Sequence, residues 1–294
     1  MSPSDLERVV WGAPSFWIER FPLYCGRHFG FFRDQGIELE IWYSYGGPEL
    51  AHAVAVGDIN IGDMGLPPFV KAYCEGLPAR IIGSSPIQQL DHYLVGAPPI
   101  ETMADLREKR IGILSHGSCD DYFLSRLLRS QGIDPEKEVE RVSLGTRYGE
   151  LEVFGDGTVD AAFMVEPGIA AGEFAGLFKV IGRVGDYFPR YQWGVILAGD
   201  QWLAQRRDLV KRLLTGFRNA CQWIHTHPEE TLKLGCDTFK VNRAVFRRAL
   251  YRHLPHWQVD ARIDFTGLQN ALNIQKNLGF AIDDINLEQM VQQM

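Results

Sequence analysis

Cysteine is scarce and scattered. The 294-residue chain holds five, Cys25, Cys74, Cys119, Cys221 and Cys236, and no two stand in a Cys-x-x-Cys pair. That spacing excludes a zinc ribbon and a thioredoxin-like motif, and the odd count argues against a full disulfide framework, so a reducing compartment fits. No run of 18 apolar residues occurs, which predicts no membrane span. A secretory signal is missing from the start, where Asp5, Glu7 and Arg8 occupy the place of its apolar stretch. The expectation is a cytoplasmic protein, or a periplasmic one whose signal has been removed. Positive charge is also in deficit. A formal net charge of −7 excludes a nucleic-acid binder that works by neutralising phosphate, and Arg206-Arg207 and Arg247-Arg248 read as solvated helix faces. Gly-x-Gly-x-x-Gly, a Walker loop and His-Glu-x-x-His are all absent, so no cofactor is predicted. His225 and His227 are two apart and cannot share a helix face, so no metal is predicted either.

What is present is an ordinary globular composition, 46% apolar and 23% charged, and a phrase used twice. Gly57-Asp58-Ile59-Asn60-Ile61-Gly62-Asp63-Met64 is echoed by Gly157-Thr158-Val159-Asp160-Ala161-Ala162-Phe163-Met164. Each copy leaves a helix-like stretch at a glycine, becomes a short apolar strand and enters a proline loop, Leu66-Pro67-Pro68 or Glu166-Pro167-Gly168. A supersecondary unit used twice predicts two similar lobes with a ligand cleft between them.

The periodicity fills in that plan. Strands are predicted at 8–12, 37–43, 59–63, 80–83, 110–114 and 139–144. Helices are predicted from Pro22 to Gln35, from 46 to Gly57, after Pro67, from Cys119 to Ser130 and from Tyr148 to Phe154. Alternating strands and helices predict α/β layers around largely parallel sheets. Beyond Gln201 the apolar spacing is helical, through Leu209, Leu213, Leu214, Phe217, Cys221 and Ile224. The predicted division is 1–92 as the first part of lobe 1, 93–190 as lobe 2, and 191–294 as the return to lobe 1 with C-terminal helices packed on it. The chain then crosses between lobes twice, near 91–96 and 189–198, and two crossings make a hinge that closes on a ligand.

An ordered set of phrases carries a family resemblance. Arg33-Asp34-Gln35-Gly36-Ile37-Glu38-Leu39-Glu40, Gly57 to Gly62, Met103-Ala104-Asp105-Leu106 through Gly112, Gly157 to Ala162, and Leu278-Gly279-Phe280 with Ile285-Asn286-Leu287 resemble the nitrate/sulfonate/taurine type of solute-binding protein. That group includes the thiamine-pyrimidine-precursor proteins. The resemblance covers nearly the whole chain. It implies a two-lobed, type II periplasmic-binding-protein-like fold with a helical tail on lobe 1. It also implies capture of a small molecule for an ABC transporter. Cytoplasmic enzymes share the fold, among them aryl sulfinate desulfinases and dihydroxyphthalate decarboxylases, so fold does not fix function.

Candidate site residues lie on the loops that follow strands. Phe16 and Trp17 offer flat surfaces for stacking. Gly65 and Leu66 form a turn where the resembling family has serine or threonine, so Leu66 is expected to be an apolar wall. Gly117, Ser118 and Cys119 open a helix and form either an N-cap or a ligand loop, and Asp120 and Asp121 in its first turn disfavour an anion. His116 and Cys119 are a base and nucleophile if the protein is an enzyme. Asp91, His92 and Tyr93, and Tyr191, Gln192 and Trp193, stand at the crossings. Glu166 follows the second copy of the phrase, and Arg147 is the candidate cation of lobe 2. Three function classes stay open, one of them a cytoplasmic ligand sensor that reports to a regulatory partner protein. The leading one is a binding protein for a small, polar, aromatic or heterocyclic molecule. The remaining one is a lyase, decarboxylase or desulfinase acting on an aromatic or heterocyclic acid through Cys119, His116 and His92.

Overall fold

Both copies of the repeated phrase fold the same way. The computed structural model describes residues 6–14, 16–44, 46–87, 90, 92–116, 118–188, 190–277 and 285–294, and of Cys119 and Thr146 the backbone only. The chain forms two units, 1–89 with 190–238 and 253–294, and 90–189 with 239–252. In chain order the first stretch holds β1 (Glu7–Ala13), α1 (Phe21–His28), β2 (Ile37–Tyr43), α2 (Gly47–Val56), β3 (Ile61–Gly65), α3 (Leu66–Cys74) and β4 (Ala79–Ser84). The second unit follows with β5 (Tyr93–Gly96), β6 (Arg110–Ile113), α4 (Cys119–Ser130), β7 (Glu140–Ser143), α5 (Glu152–Gly155), β8 (Ala161–Met164), α6 (Gly168–Phe174) and β9 (Lys179–Arg183). The remainder is β10 (Gly194–Gly199), α7 (Asp200–Gln205), α8 (Arg207–Thr226), α9 (Pro228–Phe239), α10 (Arg243–His253), α11 (Phe265–Asn277) and α12 (Leu287–Met290).

Gly57 and Gly157 end the helices before β3 and β8 at φ of +85° and +71°, a region that costs glycine no Cβ clash. Ile59 N–H then donates to Ala53 O at 3.2 Å, and Val159 N–H to Val153 O at 3.1 Å. The sheets have the same plan, β2-β1-β3-β10-β4 in one unit and β7-β6-β8-β5-β9 in the other. In each, one antiparallel strand that arrives from elsewhere in the chain lies between two strands of the parallel set. The registers agree as well. Trp11 faces Ile41 and Ile61 in the first sheet, and Ile111 faces Arg141 and Ala161 in the second. Even the irregularity recurs, between Ile196 and Leu197 on β10 and between Leu94 and Val95 on β5.

The core of the first unit is built on Trp11, whose fully buried ring stacks on Phe217 of α8 at 5.4 Å. Leu209, Val210, Leu213, Leu214, Phe217 and Cys221 line one face of α8 at three- and four-residue spacing and pack with Val9, Ile37, Leu39 and Ile61. In the second unit Tyr93, Val95, Ala162 and Met164 of the sheet pack with Val153, Phe154, Ile169 and Phe178.

Some details depart from the sequence expectation. The helix predicted from Pro22 to Gln35 stops at His28, because Gly30 turns to φ +85°, and a short 3₁₀ turn at Arg33–Gln35 follows. The helix predicted at 148–154 is reduced to α5, with a 3₁₀ turn at Gly145–Arg147 before it. Residues 239–252 cluster with the second unit rather than with the rest of 191–294, so the chain passes between units four times and not two. The attachment is electrostatic: Arg248 Nε and Arg252 Nη2 both donate to Glu173 Oε2 at 2.6 Å.

Candidate functional site

The first unit gathers aromatic rings where β1 and β2 end. Phe16 is 41% exposed, and its ring meets Tyr24 edge-on at 5.4 Å and Tyr43 edge-on at 5.9 Å. The Tyr24 and Tyr43 hydroxyls hydrogen-bond to each other, and burial raises both phenols above their ordinary value. At the start of α1 and the middle of β3 lies a buried polar group that the sequence reading missed. Arg20 Nη2 pairs with Asp63 Oδ2 at 2.8 Å, Trp11 Nε1 donates to Asp63 Oδ1 at 2.9 Å, and Arg20 also pairs with Glu19. Arg20, Asp63 and Glu19 are all buried. Burial lowers the Arg20 guanidinium and raises the Asp63 carboxyl, each against the pull of the other charge. Charged residues flanked by Ile18 and Phe21, and by Ile61 and Met64, were the available signal, because buried charges need partners.

The turn after β3 differs from its expectation. Leu66 is fully buried, so its side chain is core, and its N–H donates to Trp193 O at 2.7 Å. Trp193 covers Gly65 so closely that a Cβ there would lie 3.3 Å from the indole. Of the first amides of α3, one is thereby engaged and Pro67 and Pro68 have none. Gln192, also buried, donates to Ser84 Oγ and Gly194 O at 2.7 Å each and accepts from Asp264 N at 3.2 Å, so it braces β10. Tyr191 is likewise buried. Trp17 precedes the 3₁₀ turn Ile18–Arg20 in extended conformation.

In the second unit Ser118 is the N-cap of α4, its Oγ accepting from Asp121 N at 3.3 Å. Asp121 is held by Arg141 Nη1 at 2.7 Å, and His116, largely exposed, places Nδ1 4.0 Å from Asp121 Oδ2. His92 is buried, and its carbonyl accepts from Val184 N at 2.9 Å. Glu166 is fully buried: Oε2 caps Ala170 N at 2.9 Å and Oε1 takes the Arg252 guanidinium, which also lies 5.5 Å from the Tyr93 ring centre. Glu166 thus fastens α6 and α10. Burial, acting upward, is the largest influence on the neighbouring Glu173, yet hydrogen bonds from Arg248 and Arg252 leave its carboxyl below the ordinary value. Arg147 is tied to Asp156 at 2.6 Å and Thr158 at 3.2 Å and acts as a surface brace. His227 stacks on Trp223 at 3.3 Å. Gly117, Asp91 and the Leu278-Gly279-Phe280 phrase lie outside the described residues, as does the side chain of Cys119.

The helix starts after these strands share one property. Glu49 lies in the first turn of α2, prolines fill that of α3, Asp120 and Asp121 that of α4, and Glu166 caps α6. Each of these helix starts therefore carries a carboxylate, whose charge disfavours an anion, or prolines, which lack amides.

Residues 17–231 match the family profile described as NMT1/THI5 like. YtlA of Bacillus subtilis (strain 168), a binding protein by its name alone, is 20% identical over 209 residues. That match takes in 70% of this chain and 63% of YtlA, less than two thirds of the relative's length. The 4-amino-5-hydroxymethyl-2-methylpyrimidine phosphate synthase of Candida albicans (strain WO-1) is 22% identical over 276 residues, 84% of this chain and 78% of that protein. Among solved structures, the periplasmic aliphatic sulphonate binding protein SsuA from Escherichia coli superposes with a TM-score of 0.76 at 19% identity, over 98% of this chain and 92% of that one. The fold is therefore that of the periplasmic binding proteins, two mixed α/β sheets with helices. Among the described residues no helix is long and apolar enough to cross a membrane.

Proposed function

This chain belongs to the NMT1/THI5-like family, and from that premise we propose that it binds a small aromatic or heterocyclic molecule on loops that follow parallel strands. The observation that carries this is Phe16, a large exposed ring held edge-on by Tyr24 and Tyr43 at the ends of β1 and β2. The exposed part of such a ring, on a loop that follows a strand, is a surface on which a flat molecule can stack. The reading makes the protein a solute receptor for an ABC-type importer. The cytoplasmic location expected from the sequence gains no support from a relative named as periplasmic, and the reading takes the exported alternative. Native mass spectrometry of freshly purified protein tests it. A retained small-molecule mass, reduced in occupancy by Phe16→Ala, is the expected result. A ligand-free protein that no aromatic compound stabilises in a thermal-shift screen refutes it.

The Candida relative, a synthase by name, favours one second reading, catalysis at the same loops. It requires turnover of the retained molecule that His92→Ala or Cys119→Ala abolishes. Stoichiometric binding without product dismisses it.

A further inference from the structure

Helix α10 carries charge of one sign. Its eleven residues hold four arginines, Arg243, Arg247, Arg248 and Arg252, and no acid, in a chain whose formal net charge is −7. Val245, Phe246, Ala249 and Leu250 are its buried stripe. Ala244, Arg247, Arg248, Tyr251 and Arg252 form a second stripe at three- and four-residue spacing. With Phe174 at the end of α6 they line an open groove of about 620 Å³, all within the second unit. Phe174 is 58% exposed and Tyr251 48%, and no large apolar side chain among the described residues is more exposed than Phe174. The arginines differ in what answers them. Arg248 and Arg252 pair with Glu173, and Arg252 also with Glu166. Arg247 has no ion pair among the described residues, and its guanidinium lies 5.8 Å from the Tyr251 ring centre. Three arginines of the groove thus meet two carboxylates, and the positive charge of Arg247 is left over.

We propose that this groove docks an acidic segment of a partner protein, with an apolar side chain seated between Phe174 and Tyr251 and a carboxylate on Arg247. Composition, charge and shape select that occupant. Exposed aromatic rings beside arginine are the composition of the energetic centre of protein interfaces, and the planar guanidinium fork takes a carboxylate in two parallel hydrogen bonds. The charge left on Arg247 attracts an acidic segment and repels a basic one. The open groove would leave a small molecule largely in water, whereas ligand pockets bury most of what they hold. A concave groove also takes a projecting side chain, which the plane of a bilayer does not present. Bare rings of this size beside one another are a patch that association covers. This docking surface uses none of the residues of the small-molecule reading.

The test is fluorescence anisotropy of the full chain with a short labelled peptide of glutamates around a central phenylalanine, beside its counterpart with lysine for glutamate. The expected result is binding of the acidic peptide alone, weakened at least about tenfold by Arg247→Glu and by Tyr251→Ala, and weakened by added salt. Both side chains are exposed, so both variants should keep the parent melting temperature within about 2 °C, which establishes that they fold. Phe16→Ala should bind the peptide as the parent chain does, so failure here is distinct from failure of the small-molecule reading. Equal binding of both peptides, acidic binding indifferent to Arg247→Glu and Tyr251→Ala, or no binding at all overturns the docking surface. Two other occupants overturn it as well: phosphatidylglycerol vesicles retained in place of the peptide and released by Arg247→Glu, or a dimer in sedimentation velocity that Tyr251→Ala dissolves.

Discussion

Replacing Arg20 by Met tests the buried polar group under the aromatic loops. At 2.8 Å the Arg20–Asp63 attraction is worth about 6 kcal/mol for an effective dielectric of about 20. Desolvating two ions costs a comparable amount, so the intact pair is close to neutral for stability. Removing the cation alone is a different matter. Asp63 and Glu19 remain buried, with Trp11 the one donor described for Asp63, and the expected loss is about 3–5 kcal/mol. For a unit of this size that corresponds to a melting temperature lower by roughly 6–20 °C. Urea unfolding followed by tryptophan fluorescence is the assay, since Trp11 is a member of the group. Adding Asp63→Asn to Arg20→Met should restore at least half of the loss. The deficit of the single variant should also depend on pH. Without Arg20, burial raises the Asp63 carboxyl further in the folded state. A raised folded value favours folding at low pH and is lost as pH rises, so the deficit is greatest near neutrality and shrinks toward the ordinary aspartate value of 3.8. A loss below about 1 kcal/mol, or a double variant no better than the single one, would show that these charges are not truly removed from water.

Further outcomes follow from the same contacts. Gly57→Ala and Gly157→Ala should cost about 1–2 kcal/mol each, and similar amounts, since both glycines have positive φ and nothing lies within 4 Å of an added Cβ; chemical denaturation of each variant measures it. Phe16→Ala should change stability by less than about 1 kcal/mol and weaken an aromatic ligand by roughly 2–10-fold, read by calorimetry. The Asp156 carboxyl is depressed to about 2 by hydrogen bonds from the Thr158 hydroxyl, Arg147 and the Thr158 amide. A depressed acid stabilises above its unfolded value of 3.8 and loses that effect as pH falls through the folded one, so Asp156→Asn should flatten the acid limb of the melting curve between those values.

Local signals carried much of the fold. Strand 37–43 and helix 119–130 have the bounds their alternation and N-cap suggest, and the Gly57 and Gly157 phrases became β3 and β8. These features depend on neighbours within a few residues. The surroundings of the candidate site residues depend on distant ones. Glu166 looked available because Arg252, its partner, lies 86 positions away. Leu66 looked like a wall because nothing local announces that α3 buries its first residue and that Trp193 closes over Gly65. Arg20 and Asp63 carried a legible anomaly, charges in apolar surroundings, but their pairing needed β1, β3 and the α1 start brought together.

The inserted antiparallel strand in each sheet sets an order of events during synthesis. β4 ends at Ser84, but β10, which joins it to β3, begins at Gly194. While the second unit is being made, the first exists as two pieces, β2-β1-β3 and a solitary β4, with strand edges unpaired. The second sheet has no such wait, because β5 precedes the strands it joins. During synthesis the second sheet is therefore complete once β9 is made, while the facing edges of β3 and β4 stay unpaired until β10 emerges, an interval in which they are open to wrong partners.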